Sequence, residues 1–214
     1  MGLADEVAGA ARVLATLGLV TAFGHVSARS GGSMLVTPAA DLATVAAGDV
    51  REVGLDARAL PPGVPAETWA HLAVYRARPD VEAIARAQPP DAIAVAAATD
   101  LVGPLHGQAA WLGPSGVPVH DDARLLRSPE RAVAAALTLA DADAVLLRGN
   151  GALTLGATPG LAVARMTVLA TACAAYLAAD GPARMLGEDE VASWRAAAAE
   201  LLPRLWDHLL RRYG

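Results

Sequence analysis

The sequence predicts an α/β fold: one three-layer α/β/α domain around a mixed sheet. The chain has 214 residues, of which 54% are hydrophobic, and this is enough apolar surface for a single core. Amphipathic helical segments alternate with short apolar runs along the chain. No internal repeat and no linker divides this pattern. We therefore expect a single domain over residues 1–214, with residues 188–212 as a C-terminal helical tail.

The first part of the chain predicts a helix and then a β-hairpin. Apolar residues recur at helical spacing over residues 3–17, so we expect an amphipathic helix that ends before Gly18. Two runs with strand character, 25–29 and 34–37, flank a Ser-Gly-Gly-Ser turn at 30–33. Glycines in such a turn tolerate positive φ, which predicts that the two runs pair as a hairpin.

The remainder of the chain predicts helices that alternate with short buried strands. Proline at the first helical position supports helices that begin at Ser128 and Thr158. Pro203 lies inside the last helical pattern and should kink or split it. The expected helices are 67–78, 91–98, one from 128, 158–179 and one from 188, and the expected strands are 81–85, 117–119 and 144–147.

The charged residues exclude several classes of function. All 17 basic residues are arginine, so chemistry that needs a lysine Schiff base, pyridoxal phosphate included, is impossible. The net charge is −5 and the arginines are scattered, which argues against nucleic acid as a partner. No run of 18 apolar residues occurs, and the N-terminus carries Asp5 and Glu6. We expect a cytoplasmic protein with no membrane partner.

Three stretches carry a resemblance to a known family. They are Thr21-Ala-Phe-Gly-His-Val-Ser-Ala-Arg29, Leu35-Val-Thr-Pro38 and Pro65-Ala-Glu-Thr-Trp-Ala-His71. In order and spacing, from about residue 5 to 180, the chain resembles the class II aldolase/adducin family. The resemblance implies that family's fold, a three-layer sandwich with a mainly antiparallel sheet, and a lyase scaffold. It also implies a symmetric homotetramer with the pocket near a subunit boundary.

The metal-binding positions of that family are changed in this chain. Family members typically read His-Thr-His-Pro after a buried strand, where this chain has Arg86-Ala-Gln-Pro89. The third histidine usually stands in Asn-His-Gly, where this chain has Asn150 between two glycines. The three zinc ligands therefore correspond to Arg86, Gln88 and Asn150. We expect no bound zinc and no other cofactor.

The phosphate-binding positions are changed as well. Two serines that help the family hold a substrate phosphate correspond to Pro65 and Ala66. Sugar-phosphate aldolases have Gly-Asn where this chain has Gly24-His25, which is more like the branch that handles unphosphorylated acids. The family's catalytic glutamate is retained as Glu67. The resemblance thus implies a small carboxylate or carbonyl substrate without phosphate.

Glu67 and His71 stand four residues apart on a predicted helix, so their side chains share one face. We expect Glu67 to be a general acid or base that moves a proton next to a carbonyl. The alternative is an acidic residue placed in the first turn by the helix dipole. For His71 a structural hydrogen bond is favoured over substrate binding.

Arg86 and Gln88 follow the predicted strand 81–85 at a spacing of two, so their side chains project to one side. A guanidinium stays protonated and suits a carboxylate or a developing enolate oxygen. We expect Arg86 to replace the metal as a fixed electrophile, with Gln88 and Asn150 as neutral donors. The alternatives are a decayed site, in which Arg86 pairs with a carboxylate, and a left-handed turn residue at Asn150.

The remaining histidines offer weaker signals. His25 follows a glycine in a loop and could bind substrate, donate a proton or make a structural hydrogen bond. His106 and His120 could belong to a displaced metal site, but they lack tight ligand spacing.

These residues lead to a hypothesis and two alternatives. The leading hypothesis is a metal-independent carbon–carbon lyase that acts on a small unphosphorylated oxo or hydroxy acid, by retro-aldol cleavage or decarboxylation through an enolate. Glu67 would move the proton and Arg86 would hold the charge. The alternatives are a non-catalytic binding or scaffold protein and an isomerase or epimerase. The residues expected to bind substrate are His25, His71, Gln88 and Asn150.

Overall fold

The computed structural model describes residues 2–179 and 183–214, and within them eight strands form one mixed sheet. The strands are β1 (His25–Ser30), β2 (Ser33–Val36), β3 (Arg51–Gly54), β4 (Ala83–Ala87), β5 (Leu101–Val102), β6 (Val117–His120), β7 (Ala144–Leu147) and β8 (Gly151–Gly156). Their order across the sheet is β3-β2-β1-β4-β8-β7-β6-β5. Every neighbouring pair is antiparallel except β6 and β7. The predicted mixed, mainly antiparallel sheet is confirmed.

Helices cover both faces of this sheet. They are α1 (Leu3–Thr16), α2 (Thr68–Ala77), α3 (Pro90–Ala96), α4 (Pro129–Leu139), α5 (Pro159–Ala178) and α6 (Glu188–Tyr213). On one face α5 packs against α1, α3 and α6, and on the other face α2 packs against α4. The core is therefore divided by the sheet into two apolar clusters, as a three-layer α/β/α sandwich requires.

The central strand β4 shows why both faces carry helices. All five of its residues are buried. Ala85 and Ala87 belong to the cluster under α1 and α5, while Ile84 belongs to the cluster under α2 and α4. A strand buried on both faces shows no alternation of apolar and polar residues. The small alanine side chains let α5 lie close to β4.

Most predicted elements are confirmed, with one shift and three omissions. The first helix, the hairpin and the strand at 144–147 lie where the pattern predicts them. The strand predicted at 81–85 lies at Ala83–Ala87, so Arg86 is inside β4 and does not follow it. The strands β3, β5 and β8 were not predicted. β8 lies at the centre of the sheet and is buried throughout, so it lacks the alternating pattern of a half-buried strand.

Pro203 was expected to kink or split the last helix, and it does not split it. α6 runs for 26 residues and contains Pro203 in its interior. Proline removes one backbone hydrogen bond from a helix. Leu202 and Leu209 are buried against the core on either side of it, and this burial offsets the loss.

The tail helix is also part of the domain and not a free appendage. The indole of Trp206 lies directly over Gly160, at the start of α5, and the indole of Trp194 lies over Gly107. A Cβ atom at either glycine would overlap the ring. The two tryptophans therefore pack within the chain, and Trp194 remains partly exposed. The tetramer itself stays a prediction.

One helix of the described residues, α5, is long and apolar enough to cross a membrane. It packs against β4, β8 and α1, and half of its 20 residues are buried. Within this domain α5 is the central core helix, which explains its composition.

A tight turn joins β7 to β8 and carries Asn150. Gly149 and Gly151 adopt positive φ angles of 69° and 86°, whereas Asn150 does not. The interpretation of Asn150 as a left-handed turn residue is therefore wrong, because its two glycine neighbours take that conformation. A Cβ atom at Gly151 would overlap the carbonyl oxygen of Ala87. The turn thus lies directly against the end of β4.

We predict that Gly151→Ala lowers the free energy of unfolding by about 3 kcal/mol, since a positive φ costs an alanine roughly 1–2 kcal/mol and the overlap adds to that cost. Gly31→Ala is the matched control, because Gly31 also has a positive φ but has open space around it. Gly31→Ala should lose only about 1 kcal/mol. Urea denaturation measures both, and equal losses would contradict the close approach of the turn to β4.

Candidate active site

The candidate site lies where side chains of α2 meet β1 and β4. His25 and Ser27 share one face of β1, because strand residues two apart point the same way. Glu67, His71 and Tyr75 follow one another at intervals of four residues, from the N-cap of α2 to its last turn, and share one face. Two strand residues advance roughly 6.6 Å and four helix residues roughly 6 Å. The spacings therefore match, and side chains of the two elements alternate along one chain of contacts, His25, His71, Ser27 and Tyr75.

Arg86 is the centre of a buried polar cluster. Its Nη2 donates hydrogen bonds to Oδ1 of Asn150 and, at 3.1 Å, to the backbone oxygen of Asn150. The same nitrogen forms an ion pair of 3.1 Å with Oε2 of Glu67. The Arg86 side chain is 3% exposed and that of Glu67 is 14% exposed. Burial lowers the pKa of Arg86 from its ordinary value while the charge of Glu67 opposes this, and the guanidinium stays protonated.

Asn150 and Gln88 complete this cluster. Nδ2 of Asn150 donates to Oε1 of Glu67 at 2.8 Å. Nε2 of Gln88 donates to Oδ1 of Asn150 at 3.3 Å. The three positions that correspond to the family's zinc ligands therefore converge with Glu67 in one network.

Glu67 keeps one acceptor position free. It stands at the N-cap of α2, but its side chain makes no capping hydrogen bond, so helix capping does not explain its orientation. The backbone N–H of Leu126 donates to its Oε1 at 3.1 Å, in addition to the bonds from Asn150 and Arg86. A carboxylate offers about four acceptor positions. Within residues 2–179 and 183–214 three of them are used, and one is left for a ligand.

A second buried network begins at His25. Nδ1 of His25 lies 2.7 Å from Nε2 of His71, and Nδ1 of His71 lies 2.6 Å from the hydroxyl of Ser27. The Ser27 hydroxyl lies 2.8 Å from that of Tyr75. Burial, and then the charge of Arg86, lower the pKa of His71 to about 3. Burial, His71 and Arg86 also lower the pKa of His25 well below its ordinary value, so both rings are neutral at pH 7.

A cavity of about 340 Å³ lies beside the two networks. Among the residues described, Nε of Arg86 and Nε2 of His25 are buried without a hydrogen-bond partner. His71, Gln88 and Asn150 do not line the cavity. His71 contacts His25 and Asn150 contacts Glu67, which do line it, while Gln88 contacts Asn150. The polar residues of the lining are His25, Asp41, Glu67, Arg86 and Arg127.

Three residues of the site escaped the sequence interpretation. Ser27 shares a face with His25 by strand spacing, and Tyr75 shares a face with His71 by helix spacing, so both could have been found from periodicity. Arg127 carries no local signal, because only the fold brings it to the cavity.

The residues at the family's metal positions do not fit zinc. Zinc binds lone pairs of nitrogen, sulfur or oxygen, whereas Arg86 offers only N–H donors. Its Nη2 also occupies the oxygens of Asn150 and Glu67 that could otherwise coordinate a metal. No group of three His, Cys, Asp or Glu residues suited to a metal occurs in residues 2–179 and 183–214. A displaced site around His106 and His120 is therefore not formed in this part of the chain.

The fold agrees with the comparisons with known proteins. Residues 5–177 match the family described as Class II Aldolase and Adducin N-terminal domain. The chain belongs to this family. The L-fuculose-1-phosphate aldolase from Thermus thermophilus has a similar structure, with a TM-score of 0.74 and 28% sequence identity, over 82% of this chain and 93% of the aldolase. The similarity confirms the class II aldolase fold.

Two relatives are decarboxylases. A 3,4-dihydroxyphthalate decarboxylase from Arthrobacter keyseri is 32% identical, and the match covers 70% of this chain and 67% of that enzyme. A second, from Rhodococcus jostii strain RHA1, is 33% identical over 68% of this chain and 67% of that enzyme. Together with the family match, these relatives support a lyase or decarboxylase type of function.

We predict that the purified protein contains less than about 0.1 zinc per chain, because a guanidinium and two amides cannot replace three imidazoles. Elemental analysis of protein prepared without chelator measures this. The matched control is the triple variant R86H/Q88H/N150H, whose three side chains would converge as ligands and should bind zinc. About one zinc per wild-type chain would contradict the prediction.

Proposed function

We propose that this protein is a metal-independent decarboxylase of small, unphosphorylated hydroxy acids, in which Arg86 stabilises an enolate oxygen and Glu67 transfers the proton. The observation that carries the proposal is the buried ion pair between Arg86 and Glu67 at the wall of the cavity. It places a fixed positive charge and a free acceptor position side by side, and enolate chemistry needs both.

Arg86 has the properties of a preorganised electrophile. Its Nη2 is held by Asn150 and Glu67, so the guanidinium cannot rotate away. Its Nε has no partner among the described residues and can donate to a substrate oxygen. A donor fixed in a site of low dielectric stabilises developing charge more strongly than water does.

Glu67 has the properties of a proton shuttle. Its free acceptor position takes the proton of a substrate hydroxyl on the carbon adjacent to the one that bears the carboxylate. The hydroxyl oxygen then shares its negative charge with the carbon that bears the carboxylate. Protonated Glu67 returns the proton to the carbon, and a C–H bond forms. The bond between this carbon and the carboxylate then breaks, and CO2 leaves. The electron pair of that bond returns to the conjugated system, and the negative charge returns to the oxygen beside Arg86. A proton from solvent neutralises that oxygen after release.

The cavity favours a carboxylate over a sugar phosphate. Pro65 and Ala66 line it where the resemblance places phosphate-binding serines, and neither side chain can donate a hydrogen bond. The side chain of Phe23 lines the same cavity and is exposed, which suits contact with an aromatic ring. The decarboxylase relatives, whose names specify a dihydroxylated aromatic diacid as substrate, agree with this choice.

Arg127 supplies a second cation for a diacid. It follows Leu126, whose N–H is bound to Glu67, and it lines the cavity. It takes part in none of the ion pairs formed within residues 2–179 and 183–214. Asp41 also lines the cavity, but its Oδ1 accepts from the backbone N–H of Ala43. Arg127 is therefore the group that we expect to hold a carboxylate that is retained.

We predict that Arg86→Ala and Glu67→Gln each lower kcat for 3,4-dihydroxyphthalate by roughly a hundredfold or more, the usual scale for losing a fixed charge or a general base. The double variant should lose little more than either single variant, because both groups serve one transition state. CO2 release measures turnover. Arg148→Ala, at an exposed ion pair with Asp121, is the matched control and should keep full activity.

Two outcomes would contradict this proposal. If the wild type binds hydroxy acids without converting them and Arg86→Ala abolishes binding, the protein is a binding module. If the wild type converts them without CO2 release, it is an isomerase or epimerase. Thermal unfolding of each variant is measured alongside, since removal of one partner of a buried ion pair costs roughly 3–5 kcal/mol of stability.

We predict that Arg127→Leu raises KM for a diacid about tenfold or more and changes KM for the matching monoacid by less than about twofold, because loss of one charged hydrogen bond costs roughly 1.5–3 kcal/mol. The neighbouring exposed Arg124, paired with Asp122, is the matched control. Equal effects on both acids would show that Arg127 does not hold the second carboxylate.

A further inference from the structure

The direction of hydrogen bonding in the second network decides which nitrogen of His25 carries its proton. If Tyr75 donates to Ser27, then Ser27 donates to Nδ1 of His71, and Nε2–H of His71 donates to Nδ1 of His25. The ring of His25 is neutral, so its own proton is then on Nε2. In the opposite direction, Nδ1 of His25 carries the proton and Nε2 is an acceptor.

Only the first direction gives every hydroxyl proton an acceptor. In the opposite direction Ser27 donates to Tyr75, and within residues 2–179 and 183–214 the Tyr75 hydroxyl has no other partner for its own proton. Tyr75 is buried, and burial raises the pKa of its hydroxyl, so that proton stays in place. The first direction moves the one donor that lacks a partner among the described residues from the Tyr75 hydroxyl to Nε2–H of His25. His25 lines the cavity, where a water or a substrate oxygen can accept this proton, whereas Tyr75 does not line it. The position of the two ends therefore favours the first direction.

We propose that the Ser27 hydroxyl, itself held by Tyr75, sets His71 and His25 so that neutral His25 carries its proton on Nε2 and donates it as a hydrogen bond to the substrate oxygen that becomes negative. The identity of that oxygen rests on the proposed function. The tautomer does not, because it follows from the buried network and from the position of its His25 end at the cavity.

The position of His25 suits this role. His25 and Arg86 are direct partners in the register of β1 and β4, and both line the cavity. Nε2 of His25 and Nε of Arg86 are the two buried nitrogens of the lining that lack a partner among the described residues. Two donors on adjacent strands can bind one oxygen, as in an oxyanion hole. Ser27 and His71 would then be positioning residues that act through His25.

Nitrogen-15 NMR of the histidine rings tests the tautomer without any substrate. Two-bond ¹⁵N–¹H correlations distinguish protonated from unprotonated nitrogens, and the His25→Gln spectrum assigns the His25 signals. We expect Nε2 to be protonated in the wild type. Ser27→Ala removes the donor to His71 and should give a mixture of tautomers. Tyr75→Phe is the matched control, because it removes a hydroxyl from the same row but leaves Ser27 as donor to His71, and it should keep the wild-type tautomer.

Steady-state kinetics with 3,4-dihydroxyphthalate test the role of the donor. His25→Ala should lower kcat roughly a hundredfold with little change in KM, since the hydrogen bond strengthens only in the transition state. His25→Gln keeps an N–H donor and should recover about tenfold of that loss.

Three results would overturn the proposal. The first is a wild-type His25 protonated on Nδ1, and the second is a tautomer that Ser27→Ala leaves unchanged. The third is an active wild type whose kcat is unaffected by His25→Ala. A wild type that converts no acid would instead refute the proposed function, while the NMR result still decides the tautomer.

Discussion

The candidate site depends on the burial of one positive charge, the guanidinium of Arg86. A charge in the interior costs several kcal/mol unless a partner of opposite charge and further hydrogen bonds compensate it. Glu67 supplies the charge, and Asn150 supplies two oxygens. Each of these partners must therefore be held in place by its own part of the fold.

That requirement links four segments of the chain. Glu67 is fixed at the start of α2 by the N–H of Leu126, in the loop before α4. Asn150 is fixed by the turn between β7 and β8, and the positive φ angles of its glycine neighbours let this turn lie against the end of β4. Arg86 itself is anchored inside β4. The fold thus brings its most costly buried group to the wall of its cavity, where a substrate can use it.

A guanidinium has a different chemical role from that of a metal ion. A metal exchanges ligands and accepts lone pairs, whereas a guanidinium offers directed N–H donors and no site for coordination. In the mechanism that we propose, the neutral His25 ring adds a second donor beside it. The cavity would then present donors to a substrate oxygen and one free carboxylate position to a substrate proton. This division of roles supports enolate chemistry without phosphate recognition.

The sequence by itself determined the elements whose signal is local. Helical spacing gave α1, the Gly-Gly turn gave the hairpin of β1 and β2, and proline at the first position gave the starts of α4 and α5. The family resemblance singled out Glu67, Arg86, Gln88 and Asn150, and their convergence follows from the shared fold. Four features emerge only in the folded structure: the position of β8, the continuity of α6 through Pro203, the presence of Arg127 at the cavity and the partners within the His25 network. These depend on burial from both faces and on contacts between residues far apart in the chain, and no local pattern of residues encodes either of them.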